Sequence, residues 1–250
     1  MVSFDVVSLF TCIPTMLALE IVKQRLQLDT TLPERTTVSK LNILKLLEFV
    51  LGNSFFTYQG THYQQIFGCP MGSPVSAILA NIVMEHVEEV ALSTAPHHPK
   101  WWFRYVDDSH VGITRTHVDE FHAHLNSVNP NIQFTVEIEK DGSLAFLDTK
   151  TTRQSDGSIS VAVYRKPTHT DRYLDFNSHH HSGHKRAVAK TLLYRAHNIP
   201  STPRERSSEE KHVFKALHAN GYPTHFLQNY DQVNNSPTNN HRNKNNMNGE

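Results

Sequence analysis

The sequence predicts an α+β fold, with antiparallel strands interleaved with helices and a small helical region after them. Three observations carry that prediction. Short runs rich in Val, Ile, Phe, Tyr and Trp recur along the chain and are joined by Gly-containing or Asp-Gly turns, the pattern of hairpins. Longer stretches between them place apolar residues at helical spacing and open on Ser or Pro. With 250 residues, 38% of them hydrophobic and 19% charged, the chain can bury the core of one large domain or of two small ones.

VSFDVVSLF, residues 2–10, is a β-branched and aromatic run that reads as a buried strand. Pro14 suits the first position of a helix continuing through Leu17, Ile21, Val22 and Leu26. A second helix takes Ser39 as its cap, runs through Leu41, Leu44, Leu47, Phe49 and Leu51, and stops at Gly52. FFTYQGTHYQQI alternates around Gly60 and predicts a hairpin. The loop FGCPMGSP then feeds a helix capped by Ser73 with Pro74 at its first position. Its apolar stripe is Ile78, Ile82, Val83, Val87 and Val90, and its wetter side carries Glu85, Glu88 and Glu89.

Residues 101–113 predict a second hairpin and 117–128 a helix. IQFTVEIE, LAFLDTKTT and ISVAVYRK, joined at KDGS and SDGS, predict a three-stranded meander. A basic helix is expected over 183–197. Another is expected from the capping box at Ser207, Ser208, Glu209 and Glu210 to Gly221, burying Val213, Phe214 and Leu217. Residues 229–250 contain nine Asn and almost nothing apolar, so they are expected to be disordered.

Composition narrows the function classes. Mean hydropathy is −0.46, and no apolar run approaches the ~20 residues of a membrane span. MVSFDVVSLF lacks the basic start of a signal peptide, and two cysteines, Cys12 and Cys69, make no disulfide framework; both point to a reducing intracellular setting. The net charge of zero hides an asymmetry. Residues 1–150 carry 10 Lys+Arg against 16 Asp+Glu, whereas residues 151–222 carry 12 against 6. An acidic front and a basic back suit a site for cations beside a surface for polyanions, although clustered solvated faces produce the same counts.

FRYVDDSHVGI sets Asp107 and Asp108 side by side at the tip of the hairpin. Aspartate is a good turn residue, and that alone accounts for the pair. Two carboxylates at a hairpin tip also offer the hard oxygen ligands that divalent cations take. Asp5, about a hundred residues earlier on another strand, can complete such a set.

FDVVSLF, GCPMGSPVSAILANIVM, YVDD and LAFLD stand in the order of reverse-transcriptase motifs A, B, C and E. In wording they resemble most closely the reverse transcriptases of Penelope-like retroelements, to which YRKPTHTDRYL and the SHHH…HKR segment are also similar. The resemblance runs from about residue 3 to 226. It implies a polymerase palm over 1–166, an antiparallel sheet with helices on one face, and then a basic helical thumb over 167–228. It also implies an RNA-directed DNA polymerase that adds deoxynucleotides to a primer 3′ hydroxyl. Its partners would be an RNA template, a DNA primer and dNTPs, and its cofactor two Mg²⁺ ions with Mn²⁺ as substitute. Nuclear residence follows from the lifestyle of such elements.

By the same resemblance, Asp5 and Asp107 match the direct metal ligands and Asp108 the second, more supportive acid of motif C. Phe10 matches the bulky residue that excludes a 2′ hydroxyl, although the position also suits a core aromatic. Gly72, Ser73 and Pro74 match the motif B turn beside the incoming nucleotide; without the resemblance they are a good helix start. Tyr105 precedes the acids as the family expects. Phe146, Leu147 and Asp148 match the hairpin that supports the primer end. Lys140 occupies the region where related enzymes carry a lysine that assists proton transfer, in a KDG turn that equally suits a solvated lysine.

Arg165, Lys166, Arg172, Lys185, Arg186, Lys190 and Arg195 are expected to contact primer and template in a salt-dependent way. His179, His180, His181 and His184 do not read as a zinc site, since no cysteine is near and consecutive histidines cannot converge on one ion. A helix-turn-helix over 183–221 is the competing reading: nucleic-acid binding without catalysis. A complete enzyme has fingers before motif A, and Penelope-like elements often carry a GIY-YIG endonuclease after the thumb. Here motif A starts at residue 3 and the chain ends in the Asn-rich tail, so this chain alone is expected to be weak or inactive.

Overall fold

Asp5 sits in a strand whose other face is wholly buried, and the first unit is built around that strand. The computed structural model describes residues 1–227; the Asn-rich tail expected over 229–250 lies outside them. The chain divides into two compact units, Met1–Glu139 and Lys140–Glu250.

The first unit begins with β1 (Val2–Val6), α1 (Leu9–Cys12), α2 (Thr15–Leu28), α3 (Leu32–Arg35) and α4 (Lys40–Gly52). It continues with the hairpin β2 (Phe55–Tyr58) and β3 (Thr61–Gln64), then α5 (Pro74–Thr94), β4 (Trp101–Tyr105) and β5 (Asp108–Gly112). A 3₁₀ turn at Arg115–His117, α6 (Val118–Ser127) and β6 (Phe134–Ile138) complete it. The principal sheet has the order β4-β5-β1-β6, with every pairing antiparallel.

In β1, Val2, Phe4 and Val6 are buried while Ser3 and Asp5 point the other way, as period-two alternation requires. Phe4 lies within ring-packing distance of Trp102, Phe121 and His122, and its cluster takes in Leu79, Val83, Met84 and Val87 of α5 and Leu125 of α6. Helices α5 and α6 therefore cover one face of the sheet, and the α+β class is as the sequence predicts.

Several local expectations are corrected. The first strand ends at Val6 rather than running to Phe10, because Ser8 turns into the left-handed region (φ 52°) and starts α1. Pro14 stands just before α2 in an extended conformation instead of inside its first turn. Ser39 does cap α4, accepting from the Asn42 backbone N–H at 3.2 Å. Ser73 precedes α5 without a side-chain cap bond. In α5 the buried face is Ser76, Leu79, Ala80, Val83, Met84, Val87 and Ala91, and Ile78 is 62% exposed. Ser76 can be buried because its hydroxyl donates to the Pro70 carbonyl at 2.7 Å.

The second unit holds β7 (Ser143–Phe146), β8 (Thr149–Arg153), β9 (Ile159–Val163), α7 (Ser182–Asn198) and α8 (Pro203–Ala219). The meander has three strands, but not the expected three. IQFTVEIE supplies β6 of the first unit, whereas LAFLDTKTT is cut in two by a turn at Leu147 (φ 52°) and Asp148, giving β7 and β8. The residues grouped with the palm by sequence, 140–166, accordingly cluster with the basic helices.

Helix α8 starts a turn earlier than the Ser207 box suggests. Thr202 accepts from the Glu205 N–H at 3.2 Å and donates its hydroxyl to the Glu205 carboxylate at 2.8 Å, with Pro203 at the first position. A second core joins Ala189, Leu193 and Ala196 to Val213, Leu217, Tyr222 and Leu227. Among the described residues, no helix is long and apolar enough to cross a membrane.

Candidate active site

The antiparallel register decides where the acids go. Asp5 on β1 is the Cα partner of Asp108 on β5, and Asp108 is the partner of Tyr105 on β4, so all three share the sheet face away from α5 and α6. Phe4, Ser109 and Arg104 share the helix-covered face by the same register. Asp107 occupies the two-residue turn between β4 and β5, where the Val6 N–H donates to its carbonyl at 3.2 Å. Asp5, Asp107 and Asp108 each bring a carboxylate oxygen into a group whose members lie within 4.8 Å of one another. Asp5 is exposed, and the other two are partly buried.

Three carboxylates at this spacing are a hard, all-oxygen donor set reachable from solvent. It fits Mg²⁺ or Mn²⁺, which take carboxylate ligands and keep part of their water shell. Among the described residues these are the three acids that converge so. Cys69 is buried and offers no competing nucleophile: burial pushes its thiol up to about 11.

The turn carrying Asp107 is unusual in its first residue. Val106 has φ 58°, a region that a β-branched side chain occupies at a cost on the order of 1–3 kcal/mol. Beneath it, Arg104 donates through Nε to Glu88 at 2.7 Å, through Nη2 to Asn81 at 3.1 Å and through Nη1 to the Val106 carbonyl at 3.1 Å. Glu88 also accepts from the Trp102 indole N–H at 2.6 Å, so it faces inward rather than toward water as the sequence suggests. Asn81 donates to Glu85 at 2.6 Å, and the Arg25 guanidinium 2.6 Å from Glu85 holds that carboxyl below its usual value. Sequence reasoning missed this network. Asn81, Glu85 and Glu88, at i, i+4 and i+7 on α5, were its available signal.

The loop before α5 packs onto α1. The Cys69 N–H donates to the Phe10 carbonyl at 2.6 Å, and a Cβ on Gly68 would stand 2.5 Å from the Thr11 carbonyl oxygen. Phe10 is half-buried against the core. Gly72 has φ 92° with open space where a Cβ would sit, so the demand for glycine there is conformational. Ser73 and Pro74 follow as the start of α5.

In the second unit the basic residues divide into two groups. Arg165 forms a two-pronged ion pair with Glu209, which holds the guanidinium above its ordinary value, and Arg195 pairs with Asp148 at 3.0 Å. Lys185 donates to the Ser178 carbonyl at 2.7 Å and lies 5.3 Å from the Phe176 ring centre. Lys166, Arg172, Arg186 and Lys190 are exposed. On α7, Arg186, Lys190 and the 59%-exposed Tyr194 recur every four residues along one outward face. A cavity of about 450 Å³ between β9, α7 and α8 is lined by Arg165, Lys166, His169, Tyr173 and Arg195. Phe146 and Leu147 sit at the β7–β8 turn, whereas the exposed Lys140 pairs with Ser143 at the other end of β7. His181 caps α7, accepting from the Gly183 N–H at 3.1 Å, and His180 lies 3.1 Å from the Ser178 hydroxyl.

Comparison with known proteins bears on both units. Among solved structures, the chain is similar to the 3Dpol RNA-dependent RNA polymerase of Sicinivirus, with a TM-score of 0.55 and 15% identity, covering 91% of this chain and 50% of that one. It is similar to telomerase from Candida albicans, solved with a TWJ fragment of telomeric RNA, with a TM-score of 0.53 and 13% identity, covering 91% and 40%. The fold is polymerase palm-like. The chain spans half or less of the length of these structures. The family described as an animal helix-turn-helix domain matches residues 172–232. No curated protein matches.

Proposed function

We propose that this chain is the palm and thumb portion of an RNA-directed DNA polymerase of the Penelope-like retroelement kind. The observation that carries the reading is the meeting of Asp5, Asp107 and Asp108 on the open face of a palm-like sheet. Asp5 and Asp107 would hold two Mg²⁺ ions, with Asp108 in support. When bound, such ions activate the primer 3′ hydroxyl and stabilise the leaving pyrophosphate. The half-buried ring of Phe10, five residues after Asp5, would exclude a 2′ hydroxyl and so favour deoxynucleotides. Gly72, in the loop leading to α5, would let backbone lie against the incoming base.

Primer extension on RNA and DNA templates, paired with Mn²⁺ binding, tests this. Mn²⁺ binding that Asp107→Asn removes is expected, with extension by this chain alone weak or absent and any extension that occurs lost in the same variant. Nucleic-acid binding with neither extension nor Asp107-dependent Mn²⁺ binding overturns the proposal. That outcome favours a second reading, a retroelement-derived nucleic-acid-binding protein without catalysis, supported by the helix-turn-helix match over 172–232 and the exposed Arg186, Lys190 and Tyr194 of α7.

A further inference from the structure

The turn that presents Asp107 does not have the residue such a turn selects. A two-residue hairpin loop with a left-handed first position favours glycine, and here that position is Val106. Something must hold it. We propose that Arg104 is the positioning residue of the acidic cluster, fixing Asp107 through the Val106 carbonyl; the inference rests on the metal-binding reading of those acids.

Arg104 does not act on the acids directly. The register puts it on the helix-covered face with Ser109, while Asp5 and Asp108 lie on the other. Its route runs through the backbone. The Val106 carbonyl and the Asp107 N–H belong to one planar peptide, so a bond to that oxygen fixes the plane from which Asp107 departs. The following peptide is pinned by the Val6 N–H on the Asp107 carbonyl. Asp107 is thereby held on both sides, from β1 and from Arg104.

The anchorage of Arg104 is rigid. Its side chain and that of Glu88 are only 10% and 14% exposed, and Nε, Nη1 and Nη2 each have a different acceptor. Two of those acceptors, Glu88 and Asn81, stand on α5, and Asn81 is tied through Glu85 to Arg25 on α2. A planar guanidinium spreads its donors over three nitrogens in a rigid fork; an ammonium carries its three donors on one nitrogen and does not span the same acceptors. The charge alone is therefore insufficient, and lysine at this position should fail.

The test uses the whole chain and Mn²⁺ as the probe. Arg104→Lys is expected to weaken Mn²⁺ binding about tenfold or more, the range typical of groups that orient metal ligands. It should also move the Val106 backbone carbon shifts out of the left-handed range. Adding Val106→Gly to Arg104→Lys should recover most of the affinity, since glycine adopts the turn without support. Wild-type Mn²⁺ affinity in Arg104→Lys, or no recovery on adding Val106→Gly, overturns the proposal. If the wild-type protein shows no Mn²⁺ binding that Asp107→Asn removes, the metal reading fails. The Val106 carbon shifts in Arg104→Lys then still decide whether Arg104 holds the turn: unchanged shifts overturn it.

Discussion

Asp5 and Asp108 are direct partners across the antiparallel β1–β5 ladder, with both side chains on the open face of the sheet. Like charges set opposite one another cost on the order of 0.2–1 kcal/mol, so this pairing is a burden on the metal-free fold. Asp108→Asn should raise the stability of the metal-free protein by about 0.5 kcal/mol. On the proposed metal-binding reading, it should also diminish the upward shift in melting temperature on adding Mg²⁺, for which a ligand at a hundred times its Kd would supply ~2.7 kcal/mol. Melts with and without Mg²⁺ check both signs, and an unchanged Mg²⁺ response in the variant would separate the pair from cation binding.

Gly68 and Gly72 lie four residues apart in the same loop and both have positive φ, at 76° and 92°. Their surroundings differ. A Cβ on Gly68 would meet the Thr11 backbone at 2.5 Å, whereas one on Gly72 would meet nothing within 4 Å. Gly72→Ala should cost only the left-handed preference, about 1 kcal/mol. Gly68→Ala should cost more than about 2 kcal/mol, because rigid backbone must move as well. Paired urea titrations measure the difference, and equal losses would mean that the loop does not pack on α1 as described.

The acids of the site are easier to read in the sequence than the residues that support them. The Ser39 cap and the hairpin turns are legible because each depends on residues adjacent in the chain, and the three acids because the motifs around them resemble those of reverse transcriptases. Arg104, Asn81 and Glu88 were not, since their meeting depends on how α5 lies against β4. Burial shows the same limit. Ser76 lies inside because Pro70 supplies an acceptor, and Ile78 lies outside despite its apolar side chain. By residue type LAFLDTKTT reads as one strand; the hairpin that the resemblance implies at Phe146–Asp148 is formed by the left-handed Leu147. The Thr202–Glu205 box was present in the sequence, four residues ahead of Glu209, where the second box at Ser207 obscured it.

Asp171 joins two histidines. It accepts from His169 Nε2 at 3.0 Å and from His212 Nε2 at 3.0 Å, in a left-handed conformation (φ 52°) that Asp tolerates. Burial alone would raise its pKa; the His212 hydrogen bond, then the His212 charge, the His169 bond and Arg165 outweigh it and hold the carboxyl below its ordinary value. A depressed carboxyl pKa contributes stability that is full above the unfolded value and disappears as pH falls through the folded one. His212→Ala should therefore raise the Asp171 titration midpoint and move acid unfolding to higher pH. Carboxyl-carbon NMR titration of both proteins reads the first, and a pH series of melts the second.

Arg165 and Lys190 carry the same charge but should do different work. Arg165 is 20% exposed at its side chain and doubly bonded to Glu209, itself 12% exposed, so its charge is consumed inside the second unit. Lys190 is exposed on the outward face of α7, in line with Arg186 and Tyr194. Removing one partner of a buried pair costs about 3–5 kcal/mol. With this much remaining exposure, Arg165→Gln should destabilise the protein by about 2 kcal/mol. It should leave the salt dependence of duplex binding unchanged, because no phosphate contact is lost. Lys190→Gln should do the reverse, leaving stability within about 0.5 kcal/mol and lowering the slope of log K against log salt by ~0.9, the value for one phosphate. Melting curves and binding isotherms across a salt series measure both. A lowered slope in Arg165→Gln would show that nucleic acid displaces Glu209 from the guanidinium.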